Sequence, residues 1–150
     1  MITEGKKLER MPGSSGCFVC GNDGSNPRSL GVTLMWCEEE RAVYIPFEGD
    51  ATWCGYDGVI HGGILASLFD DAMGWALHRE VGEWGVTADF RIRYRRPAFA
   101  GRPHVVKGEV VSLKGRKAKM TARIYDAEDK VTTEAEALFI TGIEAKRREN

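Results

Sequence analysis

The chain has 150 residues, 43% of them hydrophobic and 29% charged, which is the composition of an ordinary globular domain. Its 21 basic and 22 acidic residues give a formal net charge of -1, which argues against a general nucleic-acid binder. No apolar run approaches the roughly 18 residues of a membrane span, and residues 1–16 lack the apolar core of a signal peptide. We therefore expect a cytoplasmic protein that binds no membrane and keeps its cysteines reduced.

The first segment, residues 1–29, is predicted to be flexible because a charged stretch is followed by Pro12-Gly13-Ser14-Ser15-Gly16. It contains Cys17-x-x-Cys20, a spacing found in zinc and redox sites. Zinc would need two more ligands, and Cys37 and Cys54 are isolated in the sequence, whereas a redox pair normally stands where a strand meets a helix. We expect no metal and no cofactor here, but a packed segment near the mouth of a pocket.

Two short strands and a helix follow. Apolar residues alternate over 32–36 and 43–47, which predicts strands. A long apolar helix is then expected from about Gly62 to Arg79, ending near Gly82. Its apolar residues cover nearly the whole circumference, and this pattern predicts a helix that is buried on all sides.

Four strands are predicted after the helix, because apolar and polar residues alternate over 89–95, 105–113, 117–124 and 131–139. The links between the later strands are short enough for hairpins. This order indicates an α+β domain over residues 30–143, with an antiparallel sheet of about six strands wrapped around one long central helix. A charged tail is expected over 144–150. The single layer leaves a sheet edge uncovered, which favours a homo-oligomer.

The start of the helix carries the strongest chemical signal. The two glycines of His61-Gly62-Gly63 leave backbone N–H groups bare at a helix N-terminus, where a developing oxyanion is stabilised. Asp70 lies on the same apolar helix and is a candidate general base, whose pKa a buried pocket would raise. Its neighbour Asp71 lies about 100° further around the helix, where packing or a hydrogen bond is the simpler role.

The chain resembles the hotdog-fold thioesterases, specifically their PaaI-like acyl-CoA thioesterase branch. The resemblance rests on His61-Gly62-Gly63 with Asp70 nine residues after the histidine, and on the strand Gly85–Ala98, which ends in Tyr94-x-x-Pro97-Ala98. It covers roughly Leu30 to Gly142. It implies hydrolysis of an acyl-CoA, with coenzyme A present as part of the substrate.

The resemblance also implies roles for single residues. Gly63 would offer its N–H to the thioester carbonyl, Asp70 would act as base or nucleophile, and Thr87 would hold the water or the carboxylate. His61 is also a catalytic candidate that could polarise the substrate, although its place before the helix fits capping and fixation of the loop equally well. In the family the active site forms between two subunits of a homodimer or homotetramer, so Gly63 of one chain would face Asp70 of the other. A regular strand points Thr87 away from the helix, so this role requires the strand start to bend or bulge.

Further residues are candidates for substrate binding. Those near the helix are Gly62, Asp71, Trp53, Tyr56 and Phe69, of which the aromatic ones would line an acyl pocket. Arginine suits the phosphates of coenzyme A, and the candidates are Arg93, Arg95, Arg96 and Arg116. The alternative for these arginines is a solvated, ion-paired sheet face.

One position departs from the family pattern. Many relatives carry Asn or Gln about six residues before the histidine, where this chain has Gly55. Two other functions therefore stay open. One is a non-catalytic acyl-CoA-binding module, and the other is a hotdog hydratase or dehydratase, whose histidine and acid stand in local contexts that this sequence does not show.

Overall fold

The computed structural model describes residues 1–142, so the predicted tail over 144–150 lies outside the described residues. Within that range the elements are β1 (Glu9–Arg10), β2 (Met35–Cys37), β3 (Ala42–Phe47), α1 (Gly62–Val81), β4 (Gly85–Tyr94), β5 (His104–Lys114), β6 (Lys117–Asp126) and β7 (Val131–Thr141), with a 3₁₀ turn at Ala51–Trp53. The predicted helix and all six predicted strands are present. Over these residues no helix combines the length and the apolar character that crossing a membrane requires.

The seven strands described form one antiparallel sheet in the order β1-β2-β3-β5-β6-β7-β4. Hairpins join β5 to β6 and β6 to β7, as their short links predict. The first hairpin turns at Gly115, which has a φ of 60°. The long strand β4 comes last in the sheet and pairs only with β7 among the described strands.

Residues 1–29 are packed, which corrects the expectation of a flexible segment. The Met11 N–H donates to the Leu34 carbonyl at 2.9 Å, and the Val32 N–H donates to the Val19 carbonyl at 3.1 Å. These bonds occupy the backbone of residues 32–34, so β2 begins only at Met35. Three apolar side chains of the segment are buried, those of Met11, Val19 and Cys20. Apolar residues scattered among Gly, Pro and Ser give no periodic signal, although they can dock on a core.

Helix α1 packs across β3, β4, β5 and β6. It approaches β5 closely where a Cβ added at Gly108 would lie only 3.1 Å from the Ala72 Cβ. Burial is less complete than expected, because Gly63, Asp70 and Arg79 are exposed. The helix ends at Gly82, whose φ of 75° and N–H bond to the His78 carbonyl at 2.8 Å are those of a left-handed cap.

Candidate active site

The N-terminus of α1 is held by two side chains. His61 is the N-cap, and its Nδ1 accepts a hydrogen bond from the Gly63 N–H at 2.8 Å. The Tyr94 hydroxyl donates to the Gly62 carbonyl at 2.8 Å. Since Nδ1 accepts, the neutral imidazole carries its proton on Nε2. The Gly63 N–H is therefore occupied, whereas no hydrogen bond of the described residues uses the Gly62 N–H.

A cleft of about 520 Å³ opens beside this helix end, and we call it the donor cleft. It is lined by residues 55–56, 59–62, Leu65 and 94–98. Gly55 stands directly behind the imidazole, because a Cβ there would lie 3.1 Å from His61 Cδ2. A larger side chain at this position would push on the N-cap. The departure at residue 55 is thus part of how this chain seats His61.

Asp70 meets Thr87 at the other end of the site. The strand β4 shifts register against β7 between Thr87 and Asp89, which is a β-bulge. The Thr87 hydroxyl donates to Asp70 Oδ1 at 2.5 Å. The bend that the sequence requires for this contact is therefore present. No described residue donates to Asp70 Oδ2, so one oxygen of the carboxylate is oriented and the other is open.

A second cleft, of about 340 Å³, surrounds this pair, and we call it the acid cleft. It is lined by Asp70, Asp71, Gly74, Trp75, Trp84, residues 85–87 and Phe139. Trp75 and Trp84 meet edge to face, with ring centroids 4.7 Å apart. Sequence reasoning missed this aromatic wall. The available signal was Trp84, an aromatic residue between the helix cap and the strand that carries Thr87.

The two adjacent aspartates differ in burial, opposite to the expectation. Asp70 is exposed in the single chain. Asp71 is the carboxylate that loses its solvent, and burial raises its pKa, with a further contribution from the charge of Asp70. Asp71 Oδ1 accepts from the Cys17 thiol at 3.5 Å, and Oδ2 is buried without a partner among the described residues. Burial also raises the pKa of the Cys20 thiol.

Of the aromatic residues predicted to bind the acyl group, only Tyr56 lines either cleft, and it is highly exposed. Phe69 is fully buried in the core. Trp53 stacks on Phe47 with ring centroids 6.1 Å apart. Neither of these two residues lines a cleft. The burial of Phe69 could not be predicted, because an apolar helix gives no sign of which of its faces meets the sheet.

The four arginines do not form one cluster. Arg95 and Arg96 line the donor cleft, and Arg95 pairs with Glu134 at 2.8 Å. Arg93 lies on β4, just before these two residues, but lines neither cleft. Arg116 donates to the Thr141 carbonyl at 3.0 Å, beside the start of β4. The ten residues of β4 span about 30 Å, so the structure separates Arg116 from the other three.

Comparison with known proteins identifies the family. The model of the thioesterase superfamily matches residues 57–133, which include the helix, Asp70 and Thr87. The chain belongs to this superfamily. It is 33% identical over 104 residues to the Mus musculus protein named acyl-coenzyme A thioesterase THEM4, a match covering 68% of this chain and 44% of the mouse protein. The chain thus spans less than half of that relative's length.

Solved structures share the fold. The crystal structure of a thioesterase superfamily protein matches with a TM-score of 0.69 and 29% identity, over 76% of this chain and 57% of that one. Escherichia coli PaaI matches with a TM-score of 0.62 and 21% identity, over 66% and 75% of the two chains. A hypothetical thioesterase protein from Streptococcus pneumoniae, solved with coenzyme A, gives 0.64 and 19%, over 90% and 88%. The hotdog architecture implied by the sequence is thereby confirmed.

One similar protein bears on the cellular compartment. A Saccharomyces cerevisiae protein, 33% identical over 89 residues, is named an uncharacterized mitochondrial membrane protein. The match covers 57% of this chain and 36% of that protein. The cytoplasmic location expected from the sequence therefore stays a prediction.

Proposed function

We propose that this protein is an acyl-CoA thioesterase, which hydrolyses a thioester to a carboxylic acid and coenzyme A. Its superfamily, the name of the mouse relative and the coenzyme A held by a structural neighbour support this activity. The observation that carries the proposal is the Asp70–Thr87 pair, which a β-bulge aims into an aromatic-walled cleft. The fold alone would not require this contact.

Asp70 supplies the attack. Thr87 holds Oδ1 in place, which leaves Oδ2 to react by one of two routes. Oδ2 either takes a proton from a water molecule that attacks the carbonyl, or it attacks the carbonyl itself. In the first route the thiolate of coenzyme A leaves with a proton returned from Asp70. In the second route the thiolate of coenzyme A leaves and takes a proton from solvent. Water then hydrolyses the acyl-enzyme anhydride, which releases the carboxylic acid and restores the Asp70 carboxylate. A positioned base contributes about 10²- to 10⁴-fold in rate.

The start of α1 supplies the oxyanion donor. The Gly63 N–H, expected to take this role, is bound to His61 Nδ1, so it becomes available only if the imidazole moves away. The Gly62 N–H makes no hydrogen bond to a described residue, and Gly62 lines the donor cleft. We therefore assign the donor to Gly62, with His61 and Tyr94 holding the helix end in place.

The two halves must come from different chains. Gly62 and Asp70 are eight residues apart, which is about 12 Å along a helix. A carbonyl oxygen and its attacking group lie within a few ångströms of each other, because reacting atoms start about 3–3.5 Å apart. One edge of β4 is not paired with any described strand, and it offers a surface on which two copies can pair. We propose a homodimer in which Gly62 of one protomer faces Asp70 of its partner.

Coenzyme A and the acyl group would then be held by opposite ends of the site. Arg95 and Arg96 line the donor cleft and can pair with phosphate oxygens. The acyl group would contact Trp75 and Trp84 in the acid cleft. This apolar wall favours aromatic or medium-length acyl groups.

The activity is tested by free-thiol release from short, medium, long and aromatic acyl-CoAs. We expect turnover by the wild type and a loss of about 10²-fold or more in Asp70→Asn. Asp89→Asn, an exposed carboxylate on the same strand as Thr87, is the matched control and should keep its turnover. Saturable acyl-CoA binding without turnover in the wild type would instead identify a binding module. Full turnover in Asp70→Asn would exclude this mechanism.

The composite site is tested by complementation. Gly62→Val places a side chain about 3.3 Å from the Tyr94 ring and crowds the donor. The two inactive variants, Gly62→Val and Asp70→Asn, are expressed together, and each carries a different tag. If sites are shared between chains, random pairing restores about one quarter of the wild-type activity, since half the dimers hold one intact site. If each chain contains its own complete site, the mixture stays inactive.

A further inference from the structure

Three metal-ligating side chains meet outside the proposed reaction path. Cys17 and Cys20 come from the N-terminal segment, and Asp71 comes from α1, more than fifty residues later. The two sulfurs and a carboxylate oxygen all lie within 4.8 Å of one another. Cys20 is 1% exposed, and Cys17 and Asp71 are half-buried. The fold therefore converts a two-residue motif into a three-residue cluster.

Backbone N–H groups donate hydrogen bonds to the sulfurs of both cysteines. The Val19 and Cys20 N–H groups donate to Cys17 Sγ at 3.4 and 3.5 Å. The Ser14 N–H donates to Cys20 Sγ at 3.3 Å. Three backbone N–H groups therefore point at the two sulfurs. Gly21 completes this loop, because a Cβ there would lie 2.5 Å from the Cys17 carbonyl oxygen.

The spacing of the ligand atoms fits a tetrahedral ion. Zinc binds sulfur at about 2.3 Å and carboxylate oxygen at about 2.0 Å, so a sulfur and an oxygen on one tetrahedral ion lie about 3.5 Å apart. Cys17 Sγ and Asp71 Oδ1 are 3.5 Å apart. Asp71 Oδ2 is buried and has no hydrogen-bond partner among the described residues, whereas buried polar atoms are normally paired.

We propose that Cys17, Cys20 and Asp71 bind one zinc ion that ties the N-terminal segment to helix α1. Binding forms two Zn–S bonds and one Zn–O bond and releases the two thiol protons to solvent, with no change of oxidation state. A water molecule from the acid cleft, which Asp71 lines, completes the four-coordinate site. The ion anchors the helix one residue from Asp70. This site does not depend on the proposed thioesterase activity.

The test starts with the full chain purified under reducing conditions. Elemental analysis should find about one zinc per chain. The chain is then stripped with a chelator and titrated with Co²⁺ alone. We expect the thiolate-to-metal charge-transfer absorption and the intense visible bands of a tetrahedral Co²⁺ site, and a lower melting temperature in the stripped chain. If the purified protein contains no zinc and the Co²⁺ titration gives no thiolate bands, the proposed site is overturned, whatever the variants do.

Variants then identify the ligands. Cys17→Ser, Cys20→Ser and Asp71→Asn should each lose or shift the Co²⁺ spectrum. Two matched controls should keep it: Asp70→Asn, which changes the adjacent carboxylate, and Cys54→Ser, which changes a cysteine outside the cluster. An Asp71→Asn spectrum identical to wild type would overturn the three-ligand site. A Cys17–Cys20 disulfide in protein that takes up no metal after reduction would also overturn it, in favour of a redox pair.

Discussion

Removing the Thr87 hydroxyl tests whether it acts through Asp70. The substitution Thr87→Val keeps a β-branched side chain on β4 and deletes the hydrogen bond to Asp70 Oδ1. A hydrogen bond to a charged group contributes about 1.5–3 kcal/mol, and the lower value applies because both side chains are exposed in the single chain. Since 1.4 kcal/mol is a factor of ten, we expect kcat to fall about tenfold with KM little changed.

The effect should disappear when Asp70 is already neutral. Asp70→Asn alone should cost about 10²- to 10⁴-fold. Adding Thr87→Val to it should then cost less than about twofold more, because no carboxylate remains to be oriented. Thr87→Ser keeps the hydroxyl and should retain most of the activity. Thr33→Val makes the same exchange outside both clefts and serves as the control.

The assay is thiol release at saturating acyl-CoA, with melting temperatures to confirm that each variant folds. Thr87 has no role through Asp70 if Thr87→Val turns over at the wild-type rate. If the two losses multiply in the double variant, the two side chains act separately. That result would also contradict a role of Thr87 through Asp70.

Other predictions concern stability. Gly82→Ala should destabilise the fold by about 1–2 kcal/mol in urea unfolding, because a side chain is strained at its φ of 75°. Leu68→Ala empties part of the core at a fully buried site and should cost about 2–5 kcal/mol in the same assay. Burial opposes ionisation of Glu40, but bonds from Lys6, Tyr44 and Lys107 prevail and lower its pKa to about 2. That stabilisation is full above the ordinary Glu pKa and fades as pH falls towards 2. The free energy of unfolding of Glu40→Gln should therefore lie about 1 kcal/mol below that of the wild type at pH 7 and converge with it in acid.

Much of the sheet could be predicted because β6 and β7 bury one face. Alternation over 117–124 and 131–139 marks strands that extend to Asp126 and Thr141. The helix end was marked locally by Gly82, whose left-handed cap needs a residue without a Cβ. Such signals depend on residues a few positions apart. They can therefore be read from the sequence without knowledge of the tertiary fold.

The clefts could not be predicted in the same way, because their walls are assembled from distant segments. Phe69 and Trp75 lie on the same helix and are both apolar, yet one fills the core and the other lines the acid cleft. Only the position of the sheet decides between them. The docking of the N-terminal segment has the same origin, because Met11 and Val19 make backbone bonds to residues 32–34, which lie more than ten positions further along the chain.

Asp70 and Asp71 show why adjacent identical residues take different roles. One step along a helix turns a side chain by about 100°, so two neighbouring carboxylates leave the helix in different directions. The first reaches the bulged start of β4 and finds a hydroxyl and solvent, which suit a group that must meet substrate. The second reaches the N-terminal segment and finds two thiols and no donor for one oxygen, which suits a cation. The chemistry of the pair is therefore set by what the sheet and the N-terminal segment bring to each face of α1.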